Sequence, residues 1–196
     1  VIPYDELGKI LDWDAVNRFR RNALNPDHPC IRGTAQNDDI YFQTRETVNK
    51  YYEAVPDLVE EAMADLAKIT GREHHVFDYY GAPDAERVVI AMGSLNQTLV
   101  EAVDYLNGKG EKVGMVAVHL FRPFSVKHFL NAIPSTVTKI AVMDRTKEPG
   151  ALGEPLYQDV VMALAKAGRS DVTVIGGRYG LGSKDTHPAS VFAVYE

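Results

Sequence analysis

Cysteine is almost absent from this 196-residue chain, which has Cys30 and no other. A single cysteine excludes a disulfide framework, and it excludes the paired CxxC spacing of zinc sites and iron–sulfur clusters. We therefore expect a reducing, cytoplasmic setting. Long apolar runs are missing as well. None approaches the roughly 18 residues that a membrane helix needs, so we expect no membrane as a partner.

An excess of basic residues is also lacking, since the net charge is −6. This balance argues against nucleic acid as a partner. The charge is uneven along the chain: residues 1–84 carry 9 Lys and Arg against 16 Asp and Glu, whereas residues 85–196 carry 12 against 11. Together with the turn-rich sequence GAPD at residues 81–84, this change predicts two domains, 1–84 and 85–196.

The chain starts with VIPYDELGKI, which has no initiator methionine, no basic region and no apolar region. This composition does not predict a signal peptide. We expect the chain to be an internal segment of a longer polypeptide.

The first part of the chain has the pattern of helices and loops. Helical spacing predicts a helix over residues 13–24 and a second helix that has Pro56 in its first turn and ends at Gly71. Polar residues predict a long loop over 25–44, and an aromatic connector, VFDYY, follows at residues 76–80.

After residue 85 short apolar runs alternate with helical patterns. This alternation predicts an α/β fold in which a mostly parallel sheet of about four to five strands has helices on both faces, preceded by the helical and loop extension. The predicted strands are 87–92, 112–120, 137–143 and 172–175, and the helix near residue 160 should bury Leu156, Val160, Val161 and Leu164.

The default ligand site of such a sheet lies beyond the carboxyl ends of its strands. Ser94 and Gln97 there match a capping box, and a helix N-terminus among basic residues could hold a phosphate. The glycine spacing, however, matches neither dinucleotide-binding nor phosphate-loop motifs. The alternatives are a nucleotide- or phosphate-binding module, or glycine turns whose arginines pair with Asp144, Glu148 and Glu154. The basic residues are Arg122, Arg145, Lys147, Arg178 and Lys184.

Other catalytic patterns are weak. The adjacent His74 and His75 diverge on any regular element, so we expect no metal site there. Cys30, Ser94 and Ser183 lack the surroundings of an activated nucleophile. The residues therefore predict no catalytic, cofactor-binding or metal-binding group in this chain.

Several stretches, taken together, resemble the pyruvate:ferredoxin (flavodoxin) oxidoreductase family. They occur in the family's order and are ALNPDHPCIRGTAQNDDIYFQ at 23–43, FDYYGAPDAERVVIAMGS at 77–94, LFRPFS at 120–125, DRTKEPGALGEPL at 144–156 and GGRYGLGSKD at 176–185. By this resemblance, residues 1–84 are the tail of the first domain. Residues 85–196 are the second domain, which is similar to the C-terminal domain of transketolase.

The resemblance implies that the whole enzyme converts pyruvate and CoA to acetyl-CoA and CO₂. It would use thiamine diphosphate, Mg²⁺ and [4Fe–4S] clusters and pass electrons to ferredoxin or flavodoxin. The segment has neither the cluster cysteines nor the thiamine motif, so it should bind no cofactor and be inactive alone. Its implied role is contact with other domains of the polypeptide and with the second subunit of a homodimer. The candidate contact residues are Arg122, Phe124, Asp144, Arg145, Lys147, Glu148, Arg178, Tyr179 and Lys184.

Overall fold

The structure, a computed structural model, describes residues 1–31, 33 and 35–196. These residues form two compact units, Val1–Glu73 and His74–Glu196. The division comes earlier than the boundary that the sequence predicts at residue 84. The reason is that the aromatic stretch predicted as a connector contains a strand, Phe77–Gly81, which pairs antiparallel with Val113–Val118 in the second unit.

The first unit is helical, as predicted. Asp12 precedes its second helix and accepts a hydrogen bond from the backbone N–H of Ala15 (2.9 Å), which satisfies one of the free donors of the first turn. None of the described helices in the chain is both long and apolar enough to cross a membrane. The helices are α1 (Tyr4–Leu7), α2 (Trp13–Arg20), α3 (Asp38–Glu46) and α4 (Asn49–Thr70).

Three predictions for this unit need correction. The helix predicted over residues 13–24 ends at Arg20. The loop expected over 25–44 ends early, because α3 begins at Asp38 with two acidic residues in its first turn, where the helix dipole favours negative charge. Arg32 and Thr34 of that loop lie outside the described residues. Pro56 lies inside α4 instead of in its first turn, although the end at Gly71, with its left-handed φ of 68°, is confirmed.

The second unit has the predicted alternation of strands and helices. One five-stranded sheet has the order β1-β3-β2-β4-β5, with β1 antiparallel and the other neighbours parallel. The predicted α/β class is therefore confirmed. The elements are β1 (Phe77–Gly81), β2 (Arg87–Ala91), α5 (Leu95–Gly108), β3 (Val113–Val118), α6 (Val126–Ala132), β4 (Lys139–Asp144), α7 (Pro155–Lys166), β5 (Thr173–Arg178), a short 3₁₀ helix (Leu181–Ser183) and α8 (Pro188–Tyr195).

The central strands are buried on both faces of the sheet. Val89 and Met115 belong to a core cluster with residues of α5 and α8, while the alternate residues Val88 and Ile90 are also buried. Burial on both faces explains why these strands read as continuous apolar runs. On α7 the predicted inner face is confirmed at Leu156, Val160 and Leu164, whereas Val161 is exposed.

Candidate functional site

The carboxyl ends of three neighbouring parallel strands meet at one edge of the sheet. Ala91 in β2 lies opposite Met143 in β4, and Asp144 at the end of β4 lies opposite Arg178 at the end of β5. Because the strands are parallel, the loops that follow them begin side by side. We call this region the strand-end edge, and it contains most of the residues that the sequence analysis selected.

Asp144 lies buried beneath the strand-end edge, with 1% of its surface exposed. Its Oδ1 accepts a hydrogen bond from the N–H of Leu156 (3.0 Å) and its Oδ2 one from the N–H of Tyr157 (3.2 Å). These donors belong to the first turn of α7, where helical partners are lacking. Burial raises the pKa of the Asp144 carboxyl, and the two N–H donors act in the opposite direction. The carboxylate therefore fixes α7 to the end of β4.

Arg145 connects the loops that follow three strands. Its Nε donates to the carbonyl of Gly180 (3.2 Å) and its Nη1 donates to Oγ of Ser94 (3.1 Å). A Cβ at Gly180, whose φ is +62°, would lie 3.1 Å from Arg145 Nε, so the close approach favours glycine. The capping-box prediction for Ser94 is wrong. Ser94 has helical φ and ψ (−65°, −20°), and its side chain makes no cap hydrogen bond. Its hydroxyl instead accepts a hydrogen bond from Arg145.

A second buried carboxylate, Glu154, lies close to the cationic groups of Arg178 and Lys147. Its side chain is 4% exposed, and its Oε1 lies 3.4 Å from Nη1 of Arg178 and 4.0 Å from Nζ of Lys147. The same oxygen accepts from the backbone N–H of Glu148 (3.2 Å). The expected pairing of arginines with these carboxylates is thus confirmed for Arg178. Arg145 instead donates to a carbonyl and a hydroxyl.

Arg122 and Phe124 follow β3, further along the same edge. The Arg122 guanidinium forms an ion pair with Asp159 and lies 3.9 Å from the ring centre of Phe121, a cation–π distance. The half-buried Phe124 packs on Phe77, with ring centres 5.2 Å apart. Because the Arg122 side chain is still 53% exposed, a partner can reach it. Phe124 contributes mainly to packing.

Tyr179 is buried and donates its hydroxyl proton to the carbonyl of Met92 (2.6 Å). A cavity of about 330 Å³ lies beside it. Apolar side chains of β2, β4, α5 and α8 form part of its lining, and Arg178, Lys184 and Asp185 supply polar groups. A cavity of this size can take a small ligand.

The structure thus divides the nine candidate contact residues. Asp144 and Tyr179 are buried and Phe124 is half-buried, so these three stabilise the edge from within. The six others are exposed: Arg122, Arg145, Lys147, Glu148, Arg178 and Lys184. Both buried carboxylates are engaged in holding loops, and the exposed residues give the edge a mainly cationic surface.

One group of potential ligands escaped the sequence analysis. Oδ2 of Asp78 lies 3.1 Å from Nδ1 of His74 and 3.1 Å from Nε2 of His119. Among the described residues, these three side chains form a group that could hold a metal ion. No local spacing could reveal it, because His119 reaches the other two only through the antiparallel pairing of β1 with β3.

Comparison with known proteins identifies the family. A family model described as pyruvate:ferredoxin oxidoreductase core domain II matches residues 85–191. The chain is 57% identical over its full length to the pyruvate:ferredoxin oxidoreductase of Moorella thermoacetica and 57% identical to the pyruvate-flavodoxin oxidoreductase of Enterobacter agglomerans. It is 48% identical to the pyruvate dehydrogenase [NADP(+)] of Cryptosporidium parvum.

The chain spans 17% of the length of the first two relatives and 10% of the third. A solved structure of 2-oxoglutarate:ferredoxin oxidoreductase from Magnetococcus marinus, with 2-oxoglutarate, coenzyme A and succinyl-CoA bound, is similar over 81% of this chain and 23% of its own, with 15% identity and a TM-score of 0.47. The family model covers more than half of the 196 residues, which confirms the resemblance seen in the sequence. The chain belongs to the pyruvate:ferredoxin oxidoreductase family, and residues 85–191 are its core domain II.

Proposed function

We propose that this chain is a structural and interface segment of a cytoplasmic pyruvate:ferredoxin or pyruvate:flavodoxin oxidoreductase. Its partners would be other domains of the same polypeptide and the second subunit of a homodimer. The proposal is supported by the full-length similarity to two oxidoreductases of which the chain spans only 17%. It is also supported by the exposed cations at the strand-end edge.

The observation that carries the proposal is the missing core of the first unit. Among the described residues of Val1–Glu73, Pro56 alone is buried. Large apolar side chains are instead exposed, including Phe19 (79%), Phe42 (68%) and Tyr51 (66%). Exposed apolar surface of this extent marks a contact surface in a stable protein. The rest of the longer polypeptide is the natural partner for it.

The whole enzyme would convert pyruvate and CoA to acetyl-CoA, CO₂, a proton and two electrons, and ferredoxin or flavodoxin would accept the electrons. Thiamine diphosphate with Mg²⁺ would supply the decarboxylation chemistry, and [4Fe–4S] clusters would carry the electrons. A cluster of that type is held by four cysteine thiolates. This chain has only the exposed Cys30, which does not fit such a ligand set. The clusters would therefore be bound elsewhere in the polypeptide.

Arg145→Ala in the complete oxidoreductase tests the interface role. Its guanidinium makes two hydrogen bonds within the strand-end edge but remains exposed, so the substitution should destabilise the isolated chain by only about 0–1 kcal/mol. In the complete enzyme, the substitution removes the guanidinium that pairs with a carboxylate of the partner. Association of the domains or subunits should therefore weaken by roughly 2–5 kcal/mol. Analytical ultracentrifugation of the complete enzyme measures the loss of association, and unfolding of the isolated chain measures the loss of stability.

Lys166→Ala is the matched control, because Lys166 is an exposed cation in the last turn of α7, away from the strand-end edge. It should change neither measurement. A large loss of stability in the chain with unchanged association would mean that Arg145 acts only within the domain.

We also expect the purified chain to be catalytically silent. With thiamine diphosphate, Mg²⁺ and CoA added, pyruvate-dependent reduction of an artificial electron acceptor should stay at background, because the chain offers one cysteine and no cluster ligand set. Turnover of about 1 s⁻¹ or more would contradict the proposal.

The cavity beside Tyr179 favours a second candidate, a nucleotide- or phosphate-binding module. Arg178 and Lys184 line the cavity and could neutralise a phosphate. Calorimetric titration of the chain with ATP and with inorganic phosphate tests this candidate. Saturable binding that Lys184→Ala abolishes would support it, whereas the interface proposal predicts no such binding.

A further inference from the structure

Two histidines from separate parts of the second unit converge on one carboxylate oxygen of Asp78. His74 precedes β1, Asp78 is the second residue of β1, and His119 follows β3 directly. The antiparallel register sets Phe77 opposite Val118 and thereby brings the end of β3 next to the start of β1. The ligand atoms of the three side chains all lie within 4.8 Å of one another. The three residues are called the His–Asp–His cluster below.

The surroundings of this cluster fix the direction of its carboxylate. Oδ1 of Asp78 accepts a hydrogen bond from the backbone N–H of His75 (2.8 Å), so Oδ2 is turned toward the two imidazoles. The backbone N–H of His119 donates to the carbonyl of Val76 (3.0 Å), which holds this residue beside β1. Hydrogen bonds of this kind orient the ligands in known metal sites.

The distances suit a divalent ion of the zinc class. With bonds of about 2.0–2.2 Å, neighbouring ligand atoms of a tetrahedral zinc ion lie about 3.3–3.6 Å apart. Both nitrogen–oxygen distances in the cluster are 3.1 Å, and the two nitrogens lie within 4.8 Å of each other, so side-chain rotations would admit the ion. Two imidazoles with one carboxylate favour zinc, cobalt or nickel over magnesium or calcium, which prefer oxygen ligands.

Exposure leaves room for a fourth ligand. The side chains of His74, Asp78 and His119 are 49%, 27% and 34% exposed, so solvent can reach the ion position. We infer that the His–Asp–His cluster binds one zinc-type divalent cation through Nδ1 of His74, Oδ2 of Asp78 and Nε2 of His119, with water as the fourth ligand. Such an ion connects the segment before β1 to the end of β3 and stabilises the antiparallel edge of the sheet. This inference is independent of the proposed function.

Cobalt is the most direct probe, because Co²⁺ replaces zinc and reports its geometry through visible absorption bands. The 196-residue chain is freed of metal with a chelator and titrated with Co²⁺, and Zn²⁺ is then added to displace it. We expect one Co²⁺ per chain with the intense bands of a four-coordinate site. The melting temperature should rise with Zn²⁺ and not with the same concentration of Mg²⁺, since an ion that binds only the folded state stabilises it.

Removal of either histidine tests the assignment. His74→Ala and His119→Ala should each lower the Zn²⁺ affinity by at least about 100-fold and abolish the cobalt bands, since even the loss of a group that merely orients a ligand costs 10- to 100-fold. His28→Ala, an exposed histidine of the first unit, is the matched control and should bind like the unchanged chain.

Circular dichroism must show that the variants are folded. If His119→Ala unfolds, His74→Ala decides alone, because His74 lies outside every helix and strand. Absence of saturable Co²⁺ binding would overturn the inference and leave the cluster as a hydrogen-bonded group. Binding of equal strength in the chain and in His74→Ala would overturn it as well, since the ion would then be held elsewhere.

Discussion

Replacing Asp144 with alanine should destabilise the second unit strongly. The first turn of α7 starts with Pro155, which has no N–H, and the N–H groups of Leu156 and Tyr157 both donate to the Asp144 carboxylate. The substitution leaves these two donors without an acceptor next to a buried site. A hydrogen bond to a charged group contributes about 1.5–3 kcal/mol, while removal of a buried charge recovers part of its desolvation cost. We expect Asp144→Ala to lower the free energy of unfolding by about 2–4 kcal/mol in total.

Urea unfolding followed by circular dichroism measures this loss. Glu148→Ala is the matched control, because it removes an exposed carboxylate from the same loop and should change stability by no more than about 0.5 kcal/mol. The reasoning is refuted if Asp144→Ala proves as mild as the control, since the two N–H groups would then have found other acceptors.

The pH dependence of Asp144→Asn gives a second check on the same carboxyl. Burial raises its pKa in the folded chain above the ordinary value of 3.8. Protonation therefore favours the folded state, and the resulting stability is fully present below pH 3.8 and is lost as the pH rises through the folded pKa. Because the asparagine variant lacks this titration, the stability difference between the chain and the variant should shrink from about pH 4 to pH 7. A difference that widens with rising pH would contradict the assigned direction.

Two further outcomes follow from burial. Backbone amides of Lys139–Asp144, a buried central strand, should exchange with solvent far more slowly than those of residues 25–31 and 35–44. The reverse order would contradict the division into an ordered sheet and a weakly packed first unit. Tyr195→Phe should lower the free energy of unfolding, measured in urea, by about 0.5–1.5 kcal/mol, because the buried hydroxyl donates to the carbonyl of Gly114 (2.8 Å). An unchanged stability would mean that this hydrogen bond is not formed in solution.

The parallel part of the sheet could be predicted because its strands carry their own signal. Val88, Val89 and Ile90 form a continuous apolar run, as expected for a strand covered on both faces. The edge strand β1 could not be predicted in this way, since its sequence FDYYG has only one fully buried residue. Its position depends on pairing with a strand more than thirty residues later, which no local pattern encodes.

The same distinction applies to the candidate site. Its location follows from a rule of parallel sheets, so the sequence alone placed Arg145 and Arg178 at one edge. Their partners depend on how distant loops fold. Ser94, assigned to a helix cap from its neighbours, is instead the acceptor of an arginine that lies 51 residues later in the chain. The sequence sets His74 beside His75, whereas the fold also brings it next to Asp78 and His119.

Residues 74–84 show that the family boundary and the structural boundary differ. The family model begins at residue 85, yet β1 lies before it and supplies every antiparallel partner of β3. A domain cut at residue 85 would expose the backbone N–H and C=O groups of β3 along an open edge, and such edges invite pairing with other chains. It would also remove Asp78 and His74 from beside His119. The second unit is complete only when it begins at His74, because the strand that covers its edge and two of its three clustered ligands come from that short stretch.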